Sequence, residues 1–185
     1  MTDASPLRAD AHRNRATVLA AAVELLSRVP DASMKDVAEA SGLGRTTVYR
    51  HFPSREALTK ALFEQAVDST VEELREIVAA SREPRAVLRG IATATVRIGG
   101  QYLFLAAHRD QLVDVQRARQ DDDPLREWIL DGQADGSLRP LGLAWMQEML
   151  GALVIAAHDQ VLAGEETVDS AADKLAETLI GAFVA

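Results

Sequence analysis

The chain contains no cysteine, and that one absence removes disulfides, thiolate nucleophiles, zinc fingers and iron–sulfur ligation together. Four scattered histidines are left for other metal chemistry, so no metal site is expected. Long apolar runs are missing too. The most extended, Leu150 to Ala157, falls well short of the roughly 18 to 20 residues that a membrane helix needs. The polar opening MTDASPLRADAHRNR lacks the apolar centre of a secretory signal, and a cytoplasmic protein without a membrane partner is expected. There is no G-x-S-x-G elbow and no nucleotide-binding loop. Gly42-Leu43-Gly44 opens a helix but follows no strand, so it is not a dinucleotide fingerprint. No catalytic residue, enzyme activity or cofactor is expected.

What is present is an ordinary globular composition: 185 residues, 48% apolar and 26% charged, enough for one or two domains with a hydrophobic core. Apolar spacing is helical throughout, with no alternating stretch bounded by turn residues, which predicts an all-α fold of about nine helices. Val18, Leu19, Ala22, Leu25, Leu26 and Val29 stripe a first helix from about residue 10 to the stop at Pro30. Ser33-x-x-Asp36 reads as a capping box for a short second helix ending near Gly42. A third covers about Arg45 to His51, and Ser54 caps a long fourth reaching about Ser81. Pro84 starts a fifth, expected to run to Leu105 despite Gly99-Gly100, a pair that costs about 2 kcal/mol against alanine and points to a kink or a close contact. Leu112, Val113 and Val115 suggest a weak sixth helix. Asp123-Pro124 opens a seventh that fades over Gly132 to Gly136, the eighth runs from about Leu141 to Leu162, and a stripe of Val168, Ala172, Leu175, Leu179 and Phe183 gives a ninth running to the terminus.

Residues 33–55 place small and apolar side chains as a helix-turn-helix does. Ala38 leaves room for a crossing helix, Gly42 supplies a left-handed turn residue, and Val48 anchors the following helix. With Val48 and Phe52 turned inward, that helix presents Arg45, Thr46, Tyr49 and Arg50 outward, with Thr47 and His51 at its margins. A polar, basic and aromatic face of this kind fits the major groove, where Arg reads guanine and Thr offers a hydroxyl and a methyl to thymine. The same spacing also fits a plain helical hairpin with a solvated face.

The run G-L-G-R-T-T-V-Y-R-H-F-P-S-R-E-A-L, residues 42–58, resembles the most recognisable segment of the TetR family of bacterial transcriptional regulators. The resemblance covers about residues 10–60 and implies a helix-turn-helix DNA-binding domain over 1–57, followed by a ligand-binding and dimerisation domain over 58–185. It implies that Lys35, Arg45, Thr46 and Thr47 lie near base edges. Tyr49, His51 and Arg55 would hold flanking phosphates, beside the outward Arg50. Gly44 stands where many relatives have a capping serine; glycine is nearly as good a cap but forgoes one hydroxyl contact.

Net charge is −8, yet it divides into +2 over residues 1–60 and −10 over 61–185, so the N-terminal segment is the attractive face for DNA. One short helix reads too few base pairs for useful specificity, and a homodimer on a pseudopalindromic operator is the physical expectation. Leu150, Leu153, Val154, Ala157, Leu175 and Leu179 are the expected dimer surface, with Gly151 and Ala152 permitting close approach. The family implies a small-molecule effector in the C-terminal domain, and Tyr102, Phe104, His108, Trp128, Trp145 and Met149 hold most of the large or adaptable side chains that could line its cavity. The combined expectation is a repressor released by its ligand, with the fourth helix as lever. The alternative is a helical adaptor that binds an acidic protein partner through the 45–55 face.

Overall fold

A computed structural model of the chain describes residues 6–108, Val115 and 122–185. Among these residues there are eight α-helices and no strand, only an isolated antiparallel bridge between Leu138 and Val184. The helices are α1 (Pro6–Arg28), α2 (Met34–Ser41), α3 (Arg45–His51), α4 (Arg55–Ala80), α5 (Pro84–Gln101), α6 (Leu125–Asp135), α7 (Leu143–Leu162) and α8 (Val168–Phe183), with a 3-10 segment at Leu103–His108 between α5 and α6. The weak sixth helix expected around Leu112 lies outside the described residues except for Val115, which is helical and buried.

Local chemistry accounts for most boundaries. Ser54 Oγ accepts from the Ala57 amide at the start of α4, Asp123 Oδ1 accepts from the Leu125 amide at the start of α6, and Thr167 Oγ1 accepts from Ser170 at the start of α8. Gly136 ends α6 in the left-handed region at φ 81°. Helix α5 stops at Gln101 and not at Leu105. The glycine pair weakens its last turn, and the Tyr102 amide bonds back to the Gly99 carbonyl as the chain tightens into the 3-10 segment.

The chain divides into two compact units, with the boundary inside α4 between Gln65 and Ala66. The first unit holds α1, α2, α3, the opening turns of α4 and the described residues from Phe104 to Val115. Its buried side chains include Val18, Ala22 and Leu26 of α1, Val37 and Ala38 of α2, Val48 and Phe52, and Leu58 and Leu62 of α4.

In the second unit α5 is central and packs along α8 and α7. Val87, Leu88, Ile91 and Val96 of α5 meet Leu125 and Ile129 of α6, Met146 of α7, and Leu175, Leu179, Ile180 and Phe183 of α8 in one apolar core. Leu175 and Leu179, expected at a dimer surface, are therefore core residues of this chain, at 4% and 0% exposure. Helix α7 is the opposite case. It is apolar over most of its circumference, yet Met146 is its one buried residue. Leu150, Leu153, Val154 and Ala157 are half-buried against the core, while Trp145 and Ile155 stand 60% and 43% exposed.

The glycine pair in α5 makes a close approach possible. A Cβ on Gly99 would overlap the imidazole of His158 on α7, whose Nε2 lies 3.1 Å from the Thr95 carbonyl. Since a carbonyl can only accept, Nε2 carries the proton.

Candidate nucleic-acid interface

The geometry of the basic segment begins with its caps. Ser33 Oγ accepts from the Asp36 amide at 3.3 Å, and the Asp36 carboxylate accepts from the Ser33 amide at 2.8 Å, completing a capping box with aspartate as the returning acid. The Ser33 side chain, then its backbone amide, hold the Asp36 carboxyl below its ordinary value. Gly42 closes α2 at φ 68°, a left-handed conformation that permits the sharp turn into α3, and its amide bonds to the Glu39 carbonyl. Ser41 Oγ adds a bond from the Leu43 amide, a turn contact that the sequence pattern did not announce. Gly44 begins α3 with no side-chain cap.

Val48 and Phe52, at 0% and 2% exposure, root α3 in the first unit. Consequently Arg45, Thr46, Tyr49 and Arg50 are exposed, with Thr47 and His51 at intermediate burial. Lys35 is exposed on α2. Its ammonium lies 3.8 Å from the Glu39 carboxylate, and the Arg45 guanidinium approaches the same oxygen at 3.7 Å. Glu39 thus belongs to this surface although sequence reasoning passed over it. The available signal was its i,i+4 spacing from Lys35 together with its position just before the turn.

Two expected phosphate ligands are placed differently. Arg55 donates from Nη1 to the Ala32 carbonyl at 3.0 Å and from Nη2 to the Pro30 carbonyl at 2.9 Å. Its guanidinium clamps the start of α4 to the turn between α1 and α2, and those N–H groups are spent on protein oxygens. Burial pushes its pKa down, opposed by Asp31, which still leaves it charged at neutral pH. His51 turns its Nε2 inward, buried and without a hydrogen-bond partner. Burial first, then Arg50 and Arg15, hold its pKa below 6.5. Arg15 sits over the Phe52 ring at 5.4 Å, a cation–π contact that brings this positive charge near the histidine.

The residues expected to line an effector cavity are divided between the two units. Phe104 and His108 belong to the first unit, where His108 acts electrostatically on Glu56 at the start of α4. Trp145 is a surface residue. Tyr102, Trp128 and Met149 remain in the second unit, Tyr102 buried enough for its hydroxyl pKa to be raised and the other two packed against the core.

A short helix rooted by Val48 and Phe52, set across a glycine turn from α2 and presenting Arg45, Thr46, Tyr49 and Arg50, is the helix-turn-helix of a DNA-binding transcriptional regulator. The profile of bacterial regulatory proteins of the tetR family matches residues 18–62. The transcriptional repressor LfrR of Mycolicibacterium smegmatis is 27% identical over 150 residues, covering 80% of this chain and 78% of that protein. The regulator SAR0097 of Staphylococcus aureus is 37% identical over 75 residues, or 39% of each chain. The crystal structure of LfrR from Mycobacterium smegmatis in complex with proflavine superposes with a TM-score of 0.70 at 25% identity, covering 94% of this chain and 98% of that one. Residues 18–62 thus carry the DNA-binding segment of the tetR family, and the chain is similar over most of its length to a TetR-like transcriptional repressor.

Proposed function

We propose that this regulator is a homodimeric repressor that binds a pseudopalindromic operator and is released from it by a small molecule bound in the second unit. The observation that carries the reading is the exposed face of α3. Arg45, Thr46 and Thr47, with Lys35 of α2, approach base edges, while Tyr49 and Arg50 engage flanking phosphates and fix the register. Arg55 acts behind this face as a clamp, and His51 contributes its partly enclosed ring. The boundary between the DNA-binding and effector-binding parts falls in α4, whose residues belong to both compact units.

The apolar exposed side of α7 supports dimerisation. Trp145, Ile155 and Leu162 project from it, with Gly151 and Ala152 small enough for a second helix to come close. Repression is read from LfrR, a transcriptional repressor, and a small-molecule site from its crystal structure in complex with proflavine; release by such a molecule is the step added here. To clear an operator, the effector must prefer the released state by about 3 to 5 kcal/mol. Tyr102, Trp128 and Met149 are the side chains we assign to its site.

The test is selection of randomised duplex DNA by the purified protein, read by sequencing, with the winner titrated against salt. An enriched inverted repeat is expected. Arg45→Ala should relax preference at one base position by about 1 to 3 kcal/mol, and Tyr49→Ala should weaken binding to every duplex alike. Absence of any enriched sequence, with weak binding abolished by moderate salt, would overturn the reading and direct attention to an acidic protein partner for the same face.

A further inference from the structure

The basic face contains an acid whose placement has a cost. Asp36, the other carboxylate of α2, is committed to the Ser33 capping box. The Glu39 carboxylate has no such structural task. It stands 63% exposed, within 3.8 Å of the Lys35 ammonium and 3.7 Å of the Arg45 guanidinium, which are themselves 57% and 61% exposed. Cations from both helices of the motif therefore converge on one solvent-facing carboxylate. An ion pair this exposed contributes little to folding. Its consequence lies in what the surface offers to a polyanion, where a carboxylate repels the phosphates and occupies the cations that would neutralise them.

We propose that Glu39 is a specificity-determining residue of the DNA-binding surface. This rests on the α3 reading above. On duplex of arbitrary sequence, Lys35 and Arg45 must abandon the carboxylate for phosphate oxygens, and Glu39 is left facing negative charge. On the correct sequence, guanine O6 and N7 take the Arg45 fork, and the carboxylate can accept from a cytosine N4 amino group. Its penalty is then removed on the correct site alone. The acid thus lowers non-specific affinity more than specific affinity, and widens the ratio between them.

Glu39→Gln removes the charge at nearly constant size on an exposed helical position, and its folding is checked by the thermal midpoint. Binding of the wild-type and variant proteins is measured on the selected operator and on a scrambled duplex over a salt series. Affinity for the scrambled duplex should rise about tenfold, with the slope of log affinity against log salt steeper by about one, since a cation has been freed for phosphate. Operator affinity should change by less than about threefold, so that the specificity ratio falls at least about threefold. Glu24→Gln is the control, because it discharges another exposed ion pair in the same unit, that with Arg28 on α1, and it should leave the ratio unchanged. An unchanged ratio in Glu39→Gln, or an equal fall in Glu24→Gln, would overturn the proposal while leaving the regulator reading intact. A wild-type protein that prefers no sequence would overturn both.

Discussion

Arg55 offers a direct way to separate two roles that a basic residue at the start of α4 can play. The structure gives its guanidinium two hydrogen bonds, 3.0 Å to the Ala32 carbonyl and 2.9 Å to the Pro30 carbonyl. A charge-assisted bond of this kind is worth about 1.5 to 3 kcal/mol when enclosed. The residue is only half-buried and water can reach the freed carbonyls, so each bond contributes nearer 1 kcal/mol and Arg55→Ala should cost about 2 kcal/mol in total. Arg55→Lys keeps a charge but cannot span both oxygens, and should lose about half of that. The assay is urea unfolding followed by circular dichroism, with amide exchange locating the loss. The Ala32 amide, bonded to the Val29 carbonyl at 3.0 Å, should lose protection first. In parallel, DNA affinity is measured against salt. A clamp predicts lower stability with the salt slope unchanged. A phosphate ligand predicts unchanged stability and a slope shallower by about 0.9. The second pattern would refute the assignment made here.

Three further perturbations test other parts of the structure. Gly99→Ala should destabilise the chain by about 1 to 2 kcal/mol despite a better helix former, because the new Cβ displaces His158 and breaks its bond to the Thr95 carbonyl; thermal melts should show the opposite sign for Gly181→Ala on α8, where a Cβ meets nothing within 4 Å and the gain is about 0.5 kcal/mol. Ile155→Asp should leave the fold within about 0.5 kcal/mol of the parent, as surface substitutions do, while sedimentation at micromolar concentration shifts from dimer to monomer; an unchanged mass would remove α7 from the interface. The His51 pKa is lowered in the folded state, so between that value and the unfolded 6.5 the unfolded chain binds more protons, and stability should fall as pH drops through 6.5. Urea titrations from pH 7.5 to 5 should show that part of the slope vanishing in His51→Gln.

Helical periodicity and end signals carried the element order and most boundaries, because Ser33, Ser54, Asp123 and Gly136 act within a turn or two of where they stand in sequence. The outward face of α3 was legible for the same reason, since Val48 and Phe52 at i and i+4 dictate which side is buried. What failed to show was everything that depends on reach across the fold. A basic residue at the start of α4 looks the same whether it meets a phosphate or the carbonyls of Pro30 and Ala32, more than twenty residues back. An apolar stripe says that a helix buries one face without saying against what. Leu175 and Leu179 close this chain's own core, whereas the equally apolar α7 buries Met146 alone.

That asymmetry between α7 and α8 bears on the assembly. The exposed side of α8 carries Asp173, Lys174, Glu177 and Thr178, a surface that is stable in water. The exposed side of α7 carries Trp145, Ile155 and Leu162. Full burial of a large apolar side chain is worth about 1.5 to 3 kcal/mol, and side chains left about half in solvent along one helix forfeit roughly half of that each. Gly151 and Ala152 between them let a second helix approach closely enough to recover that free energy. The proposed dimer surface is therefore assigned to α7 and not to α8: substitutions that separate copies of the chain should concentrate on Trp145, Gly151, Ala152 and Ile155, while polar changes at Asp173 or Glu177 should leave the assembly intact.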